Sequence, residues 1–340
     1  MRNGERGCFS LCRMLAALAL FSAHVLGPVS SAQESPASGT RLYAPYVDMS
    51  LTSAENLVAI ARQTGIKAVT LAFIQSTGNG CEAGWGGLGQ WLSNDRLANG
   101  TTIQSIVKDL QKSGVQVILS FGGQVGAEPA LKCKDESALE ALYQSAIDRY
   151  GAKMLDFDIE SGAEKDQASI TLRDRVLVAL KKANPGLSIS FTLEVMPTGL
   201  TASGVKMLAS AKRDGLNVDL VNVMAMDYGA GEDNNGQMGL DAIQAAKAAE
   251  KQIQAAGLHA KVGITAMIGE NDEKPEVFTL TDAQRVLDFA KSGAGSFVSR
   301  LSIWSLERDN GGCAGKKSAQ PNCSGIRQSV YEFSEKLKVF

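Results

Sequence analysis

Short apolar runs alternate with helix-patterned stretches eight times along this chain, and that alternation restricts its fold more than any other feature. The runs fall at 42–47, 67–74, 115–120, 153–160, 187–193, 216–226, 261–268 and 301–305. The helix-patterned stretches fall at 53–64, 101–113, 136–150, 167–183, 201–214, 240–256, 281–292 and 325–337. Ser53 and Thr281 or Asp282 are the expected N-caps of their helices, while Gly114, Asn184-Pro185-Gly186 and Gly257 act as stops. Strands that are apolar throughout are buried on both faces, as in a parallel sheet covered by helices. Eight such units in one chain predict a single-domain α/β fold, the (β/α)8 TIM barrel, over residues 41–340. A doubly wound sheet rarely alternates so often and would need a phosphate loop. Gly84-Trp85-Gly86-Gly87-Leu88-Gly89 fits G-x-G-x-x-G, but it opens no helix and carries no such meaning. About thirty residues join the last two strands, and one helix occupies a third of them. No α+β domain is therefore expected to be inserted between strands seven and eight.

The fourth run is the unusual one. In Lys153-Met154-Leu155-Asp156-Phe157-Asp158-Ile159-Glu160 three carboxylates alternate strictly with apolar residues. Period-2 alternation sends Asp156, Asp158 and Glu160 to one face of a strand and Leu155, Phe157 and Ile159 to the other. Neighbouring carboxylates then stand roughly 6.5 to 7 Å apart. Three acids so placed in a poorly solvated interior cannot all ionise cheaply, so at least one should keep a proton near neutral pH. A solvated edge strand would also carry an acidic face, but this strand lies in the middle of the series. The row reads as catalytic.

At the N-terminus Arg2, Arg6 and Arg13 precede an apolar run from Met14 to Leu26, and Ser30-Ser31-Ala32 follows Pro28. This is the pattern of a secretory signal peptide over residues 1–32, with a linker over 33–40; the run is too short to span a bilayer. A secreted or periplasmic protein with no membrane attachment after cleavage is expected. The formal net charge of −2 becomes more negative without the leader, which excludes an electrostatic nucleic-acid binder. Cys81, Cys133, Cys313 and Cys323 remain after cleavage, an even number in an exported chain. Of the three pairings possible, Cys313–Cys323 as a local staple and Cys81–Cys133 between two loops are expected. No C-x-x-C pair is present, and His259 is the single histidine outside the leader. A zinc site and a Ser-His-Asp triad are thus poor fits, and no metal or cofactor is expected.

In a (β/α)8 barrel reactive groups gather where the strands end. Glu160 ends strand four, Ser120-Phe121-Gly122-Gly123 ends strand three, Met226-Asp227-Tyr228 ends strand six and Trp304 ends strand eight. Glu194 ends strand five without an evident role. These residues resemble glycoside hydrolase family 18, the chitinases. Asp156-Phe157-Asp158-Ile159-Glu160 is similar to that family's D-x-x-D-x-D-x-E strand, and Ser120-Phe121-Gly122-Gly123 is similar to its S-x-G-G. Met224-Ala225-Met226-Asp227-Tyr228 occupies the place of its Met-x-Tyr-Asp, and Trp304 that of its strand-eight tryptophan. The resemblance runs from about Leu42 to Leu337. Two departures stand out. Lys153 replaces the outermost aspartate, where a structural effect is expected. On strand six Met226 aligns with the family tyrosine, so Tyr228 or Asp227 is expected to hold the substrate's acetyl group.

The resemblance implies substrate-assisted hydrolysis of the β-1,4 bonds of chitin or chito-oligosaccharides, through an oxazolinium ion and with retention. Glu160 would be the acid/base, Asp158 the partner of the acetamide N–H, and Asp156 a buried sharer of its proton. Trp304 would form the floor under the reacting sugar, with Ser120, Gly122 and Gly123 packed beneath the acidic row. A monomer with an open groove, few stacking tryptophans and endo action is expected. A non-hydrolytic chitin-binding lectin and an endo-β-N-acetylglucosaminidase acting on N-glycans are the alternatives; the lectins typically lose the acid, which is present here as Glu160.

Overall fold

The computed structural model describes residues 41–340, apart from 79, 87, 88 and 233–235. The leader and linker expected over residues 1–40 lie outside the described residues. Eight parallel strands close into a barrel. Strand β1 comes in two pieces, Leu42–Tyr43 and Tyr46–Asp48. Then follow β2 (Ala68–Ser76), β3 (Gln116–Gly122), β4 (Met154–Asp158) and β5 (Ser188–Met196). The set ends with β6 (Leu220–Ala225), β7 (Lys261–Met267) and β8 (Val298–Trp304). Neighbours in sequence are neighbours in the sheet. Closure comes from β1, whose first piece pairs with β8 (Leu42 with Arg300) and whose second pairs with β2 (Tyr46 with Thr70). Pro45 lies between the pieces and supplies its carbonyl to the Thr70 N–H.

The helices wrap the outside: α1 (Leu57–Thr64), α2 (Ile103–Lys112), a single-turn α3 (Pro129–Lys132), α4 (Glu136–Tyr150) and α5 (Gln167–Ala183). They continue with α6 (Ala202–Asp214), α7 (Met238–Ala255), α8 (Leu280–Lys291) and α9 (Glu332–Leu337). Side-chain oxygens of Thr102, Asp135, Asp166 and Thr201 cap α2, α4, α5 and α6 by accepting backbone N–H groups of the first turn. Between barrel and helices lies an aromatic layer. Phe121 stacks on Phe157 at 5.2 Å, and Phe191 meets Phe157 edge-on at 6.3 Å. The apolar face of β4 thus points outward to the helices and its acidic face inward.

Several boundaries differ from the sequence reading. The acidic strand ends at Asp158, so Glu160 stands beyond the ladder. Helix α1 starts at Leu57 after a 3-10 turn over Thr52–Asn56, and no side chain caps it. The cap of α8 is Thr279, in a reciprocal box with Asp282, rather than Thr281 or Asp282. The last helix is confined to Glu332–Leu337, because the preceding residues of the Cys-bearing loop are committed to hydrogen bonds around Asn310 and Asp309. The Gly-rich loop after β2 carries an antiparallel ribbon of Ala83–Trp85 and Gln90–Trp91 that extends the sheet at β2. Between β7 and β8 there is a small hairpin, Gly269–Glu270 with Val277–Phe278, and α8. Cys81–Cys133 and Cys313–Cys323 are both disulfide-bonded.

Candidate active site

The C-terminal ends of the strands surround a cavity of about 640 Å³. Asp158 and Glu160 line it from β4, Glu194 from β5, Met226 and Asp227 from the end of β6, and Trp304 from β8. Tyr46, Phe73 and Thr192 complete its floor and walls. Trp304 stacks on Phe73 with ring centroids 5.5 Å apart, and Tyr46 meets Trp304 edge-on at 6.1 Å. This gives one aromatic wall on the β8–β1–β2 side, facing the carboxylates of β4 to β6.

The three acids of the row occupy different environments. Asp156 is fully buried beneath the cavity and held by four hydroxyl donors. Ser190 at 2.5 Å and Thr192 at 2.9 Å donate to one oxygen; Ser120 at 2.8 Å and Tyr46 at 2.9 Å donate to the other. The Arg300 guanidinium stands 3.9 Å away and itself donates to Ser190. Behind this cage Asn222 donates to Tyr46, Thr192 and Thr265. The register explains the cage, because Ser120, Asp156 and Ser190 sit side by side on β3, β4 and β5. Asp156 thus accepts four hydrogen bonds with a cation nearby.

Asp158, two residues on, is buried, and its carboxyl Oδ1 is shut off from solvent with no hydrogen bond from another described residue. Burial pushes its pKa well above the usual carboxylate range, and Glu160, Asp156 and Glu194 push it further. Glu160 is pushed up to about 7, first by burial and then by the charges of Glu194, Glu164 and Asp227. Asp227 is also raised, chiefly by burial. It takes a left-handed backbone (φ 52°) and accepts a hydrogen bond from the Glu273 N–H at 3.0 Å. The site therefore holds two carboxyls, Asp158 and Glu160, that keep their protons to higher pH than free ones, and Glu160 at about 7 can give or take a proton near neutral pH.

Gly122 and Gly123 are required by close approach. A Cβ on Gly122 would lie 2.0 Å from the Asp158 carbonyl oxygen, and one on Gly123 would lie 2.6 Å from the Phe73 ring. Both have positive φ, at 105° and 86°. Ser120 touches Asp156 rather than the cavity. Tyr228 is not brought to the site. Its side chain is buried outside the cavity, burial and then the Asp241 and Glu276 charges push its pKa up, and its hydroxyl finds no partner among the described residues. The left-handed turn at Asp227 places Asp227 in the cavity and Tyr228 away from it. Trp85 is likewise no sugar platform, because it is buried and donates from Nε1 to the Tyr150 hydroxyl at 2.8 Å. The sequence reading missed Tyr46, Phe73, Ser190, Thr192 and Arg300. Strand five carried a signal for two of them: Ser188, Ser190, Thr192 and Glu194 alternate with Ile189, Phe191, Leu193 and Val195, as on the acidic strand.

The fold and the site together define a (β/α)8 barrel of the glycosidase class, with buried carboxyl groups of raised pKa at the strand ends. No family model matches the chain. It is 34% identical over 324 residues to the "Probable bifunctional chitinase/lysozyme" of Escherichia coli (strain K12), covering 86% of this chain and 34% of that protein. It is 34% identical over 292 residues to "Endochitinase 11" of Metarhizium anisopliae, covering 79% of this chain and 52% of that protein. The chain thus spans about a third and about half of the length of these two curated relatives. Active domain 2 of a Pyrococcus furiosus chitinase superposes with a TM-score of 0.74 at 31% identity, over 87% of this chain and 93% of that domain. A second structure of that domain, complexed with chito-oligosaccharides, gives a TM-score of 0.73 at 30% identity, over 90% and 95% of the two chains. The chain belongs to glycoside hydrolase family 18, the family of the chitinases.

Proposed function

We propose that this protein is an exported, retaining glycosidase that cleaves β-1,4 bonds between N-acetylglucosamine units of chitin or chito-oligosaccharides. The observation that carries the reading is the contrast along β4: a caged Asp156, an unpartnered Asp158 and a Glu160 with a pKa of about 7. A buried carboxyl without a protein partner is costly unless a ligand supplies one. The acetamide N–H of a sugar seated on Trp304 is a fitting donor. With Asp158 holding that amide, its carbonyl oxygen attacks C1 while Glu160 delivers its proton to the leaving glycosidic oxygen. A C1–O bond to the acetyl oxygen forms as the bond to the leaving sugar breaks. Asp158 accepts the amide N–H, and this hydrogen bond strengthens as positive charge develops on the oxazolinium ring. Glu160, now a carboxylate, takes a proton from water as water opens the ring, and the anomeric configuration is retained. The substrate itself is the nucleophile in this scheme.

Asp227 and Met226 line the same cavity, as does Met224, and in this reading Asp227 and Met226 are the strand-six groups that meet the acetyl end of that sugar. Endo action fits the small hairpin that stands between β7 and β8 in place of a walling domain. The chitinase names of the relatives and the chito-oligosaccharide complex of the Pyrococcus domain support the substrate class. The test is release of a chromogenic aglycone from a chitobioside, with Glu160→Gln as control and the first-formed anomer read by NMR. Binding of chitin oligomers without turnover by the wild-type protein would overturn the hydrolase reading.

A further inference from the structure

Gln75 lies near the end of β2 and has no part in the acid–base steps proposed above. Its amide sits in a socket formed by two glycines. A Cβ on Gly86 would fall 2.2 Å from Gln75 Oε1, and one on Gly126 would fall 2.4 Å from the same atom. A larger residue at either position would displace the amide. From this socket Nε2 donates to the Gly122 carbonyl at 2.7 Å and also to the Val125 carbonyl. The Gly122 carbonyl belongs to the same peptide unit as the Gly123 N–H, which donates to the Asp158 carbonyl at 3.1 Å. That one peptide is therefore bonded at both ends, by Gln75 on one side and to Asp158 on the other. Hydrogen bonds in series through a peptide strengthen each other in a low-dielectric interior. With a glycine required opposite Asp158, no side chain sets the spacing between β3 and β4 at this level. The hydrogen bonds set it.

We infer that Gln75 is a positioning residue which, through the Gly122–Gly123 peptide, fixes the backbone of Asp158 and so the depth at which its carboxyl enters the cavity. The inference rests on Asp158 being the acetamide partner. It also explains why an amide, with two N–H donors for two carbonyls, occupies a position on the cavity wall.

Two variants separate positioning from simple packing. Gln75→Met keeps the length and donates nothing. Gln75→Glu keeps the shape, donates nothing when ionised and donates one bond when protonated. Hydrogen exchange of the Gly123 amide, read by NMR without substrate, should speed up by about tenfold or more in Gln75→Met while other barrel amides hold their rates. On the chitobioside, kcat should fall roughly ten- to a hundredfold with KM changed by less than about threefold. Gln75→Glu should regain part of that kcat, relative to wild type, as pH is lowered, a recovery Gln75→Met lacks. A Gly123 amide exchanging at the wild-type rate in the Met variant, or a kcat at the wild-type level, overturns the inference. If Gln75→Met does not fold, the exchange and kcat of the isosteric Glu variant at high and low pH decide the same question. Wild-type protein that leaves the chitobioside intact sinks the functional reading alone, and the exchange rates still decide the role of Gln75 in holding the peptide.

Discussion

Replacing Glu160 by Gln should abolish turnover and yet stabilise the fold, by an amount that depends on pH. The Glu160 carboxyl ionises at about 7 in the folded protein against an ordinary 4.5, with burial the largest cause. At about 1.4 kcal/mol per pH decade, this gap corresponds to about 3 kcal/mol against the ionised folded form. The sign follows from proton binding. Below 4.5 the group is protonated whether the chain is folded or not, and it costs nothing. Between 4.5 and about 7 the unfolded chain loses the proton while the folded one keeps it, so stability falls as pH rises. Above about 7 both are ionised and the loss is complete. The Gln variant has no such term, and its neutral side chain also relieves Asp158 of the Glu160 charge. The stability difference between variant and wild type should therefore grow by about 3 kcal/mol from pH 4.5 to about pH 8.5. Urea denaturation of both proteins across that range measures it. A difference that stays constant with pH would refute the placing of Glu160 in a desolvated, negatively charged setting, whatever the activity did.

Three other expectations follow from the same geometry. Glu194→Gln removes the second cause of the raised Glu160 pKa, so the alkaline limb of kcat/KM against pH should move to lower pH; an unmoved limb would separate the two carboxylates. Tyr228→Phe should leave kcat/KM within about twofold of wild type and stability unchanged or higher by about 1 kcal/mol, because the hydroxyl removed is buried and unpartnered. A tenfold loss of activity there would put Tyr228 on the substrate after all. Replacing Cys81 and Cys133 together by serine opens a loop of sequence separation 52, and chain entropy predicts a loss of about 4 kcal/mol, read as a lower Tm. A shift of less than a degree would show that the loops are held by other contacts.

The barrel was legible because strand and helix periods differ and the chain switches between them eight times. The shared face of Asp156, Asp158 and Glu160 was legible because period 2 on a strand sends alternate side chains the same way, here toward the barrel interior. Tyr228 misled for a local reason: strand alternation was extended past Met226, but the chain leaves the strand at Ala225 and turns left-handed at Asp227. Phe73 and Tyr46 looked like core residues of strands two and one, and their approach to Trp304 exists only because the barrel closes β8 against β1 and β2. Arg300 was hidden for the same reason. A cation on strand eight meets an acid on strand four only across the barrel interior.

The separation of roles along β4 follows from depth in the barrel more than from residue type. Asp156 and Asp158 are chemically identical and two positions apart on one face. At the level of Asp156 the neighbouring strands present Ser120 and Ser190, short hydroxyl side chains that point inward and donate. One pair of residues further along, the neighbours of Asp158 are Gly122 and Thr192, and Thr192 turns its hydroxyl down to Asp156. Gly122 has no side chain to offer. The deeper acid is thus solvated by the protein, and the carboxyl of the upper one is left with burial and the field of Glu160, Asp156 and Glu194. An uncompensated charge at that upper position would cost several kcal/mol, and burial raises the pKa of Asp158 accordingly. The register of three strands is sufficient to give two equal aspartates different surroundings, one caged by hydroxyl donors and one facing the cavity.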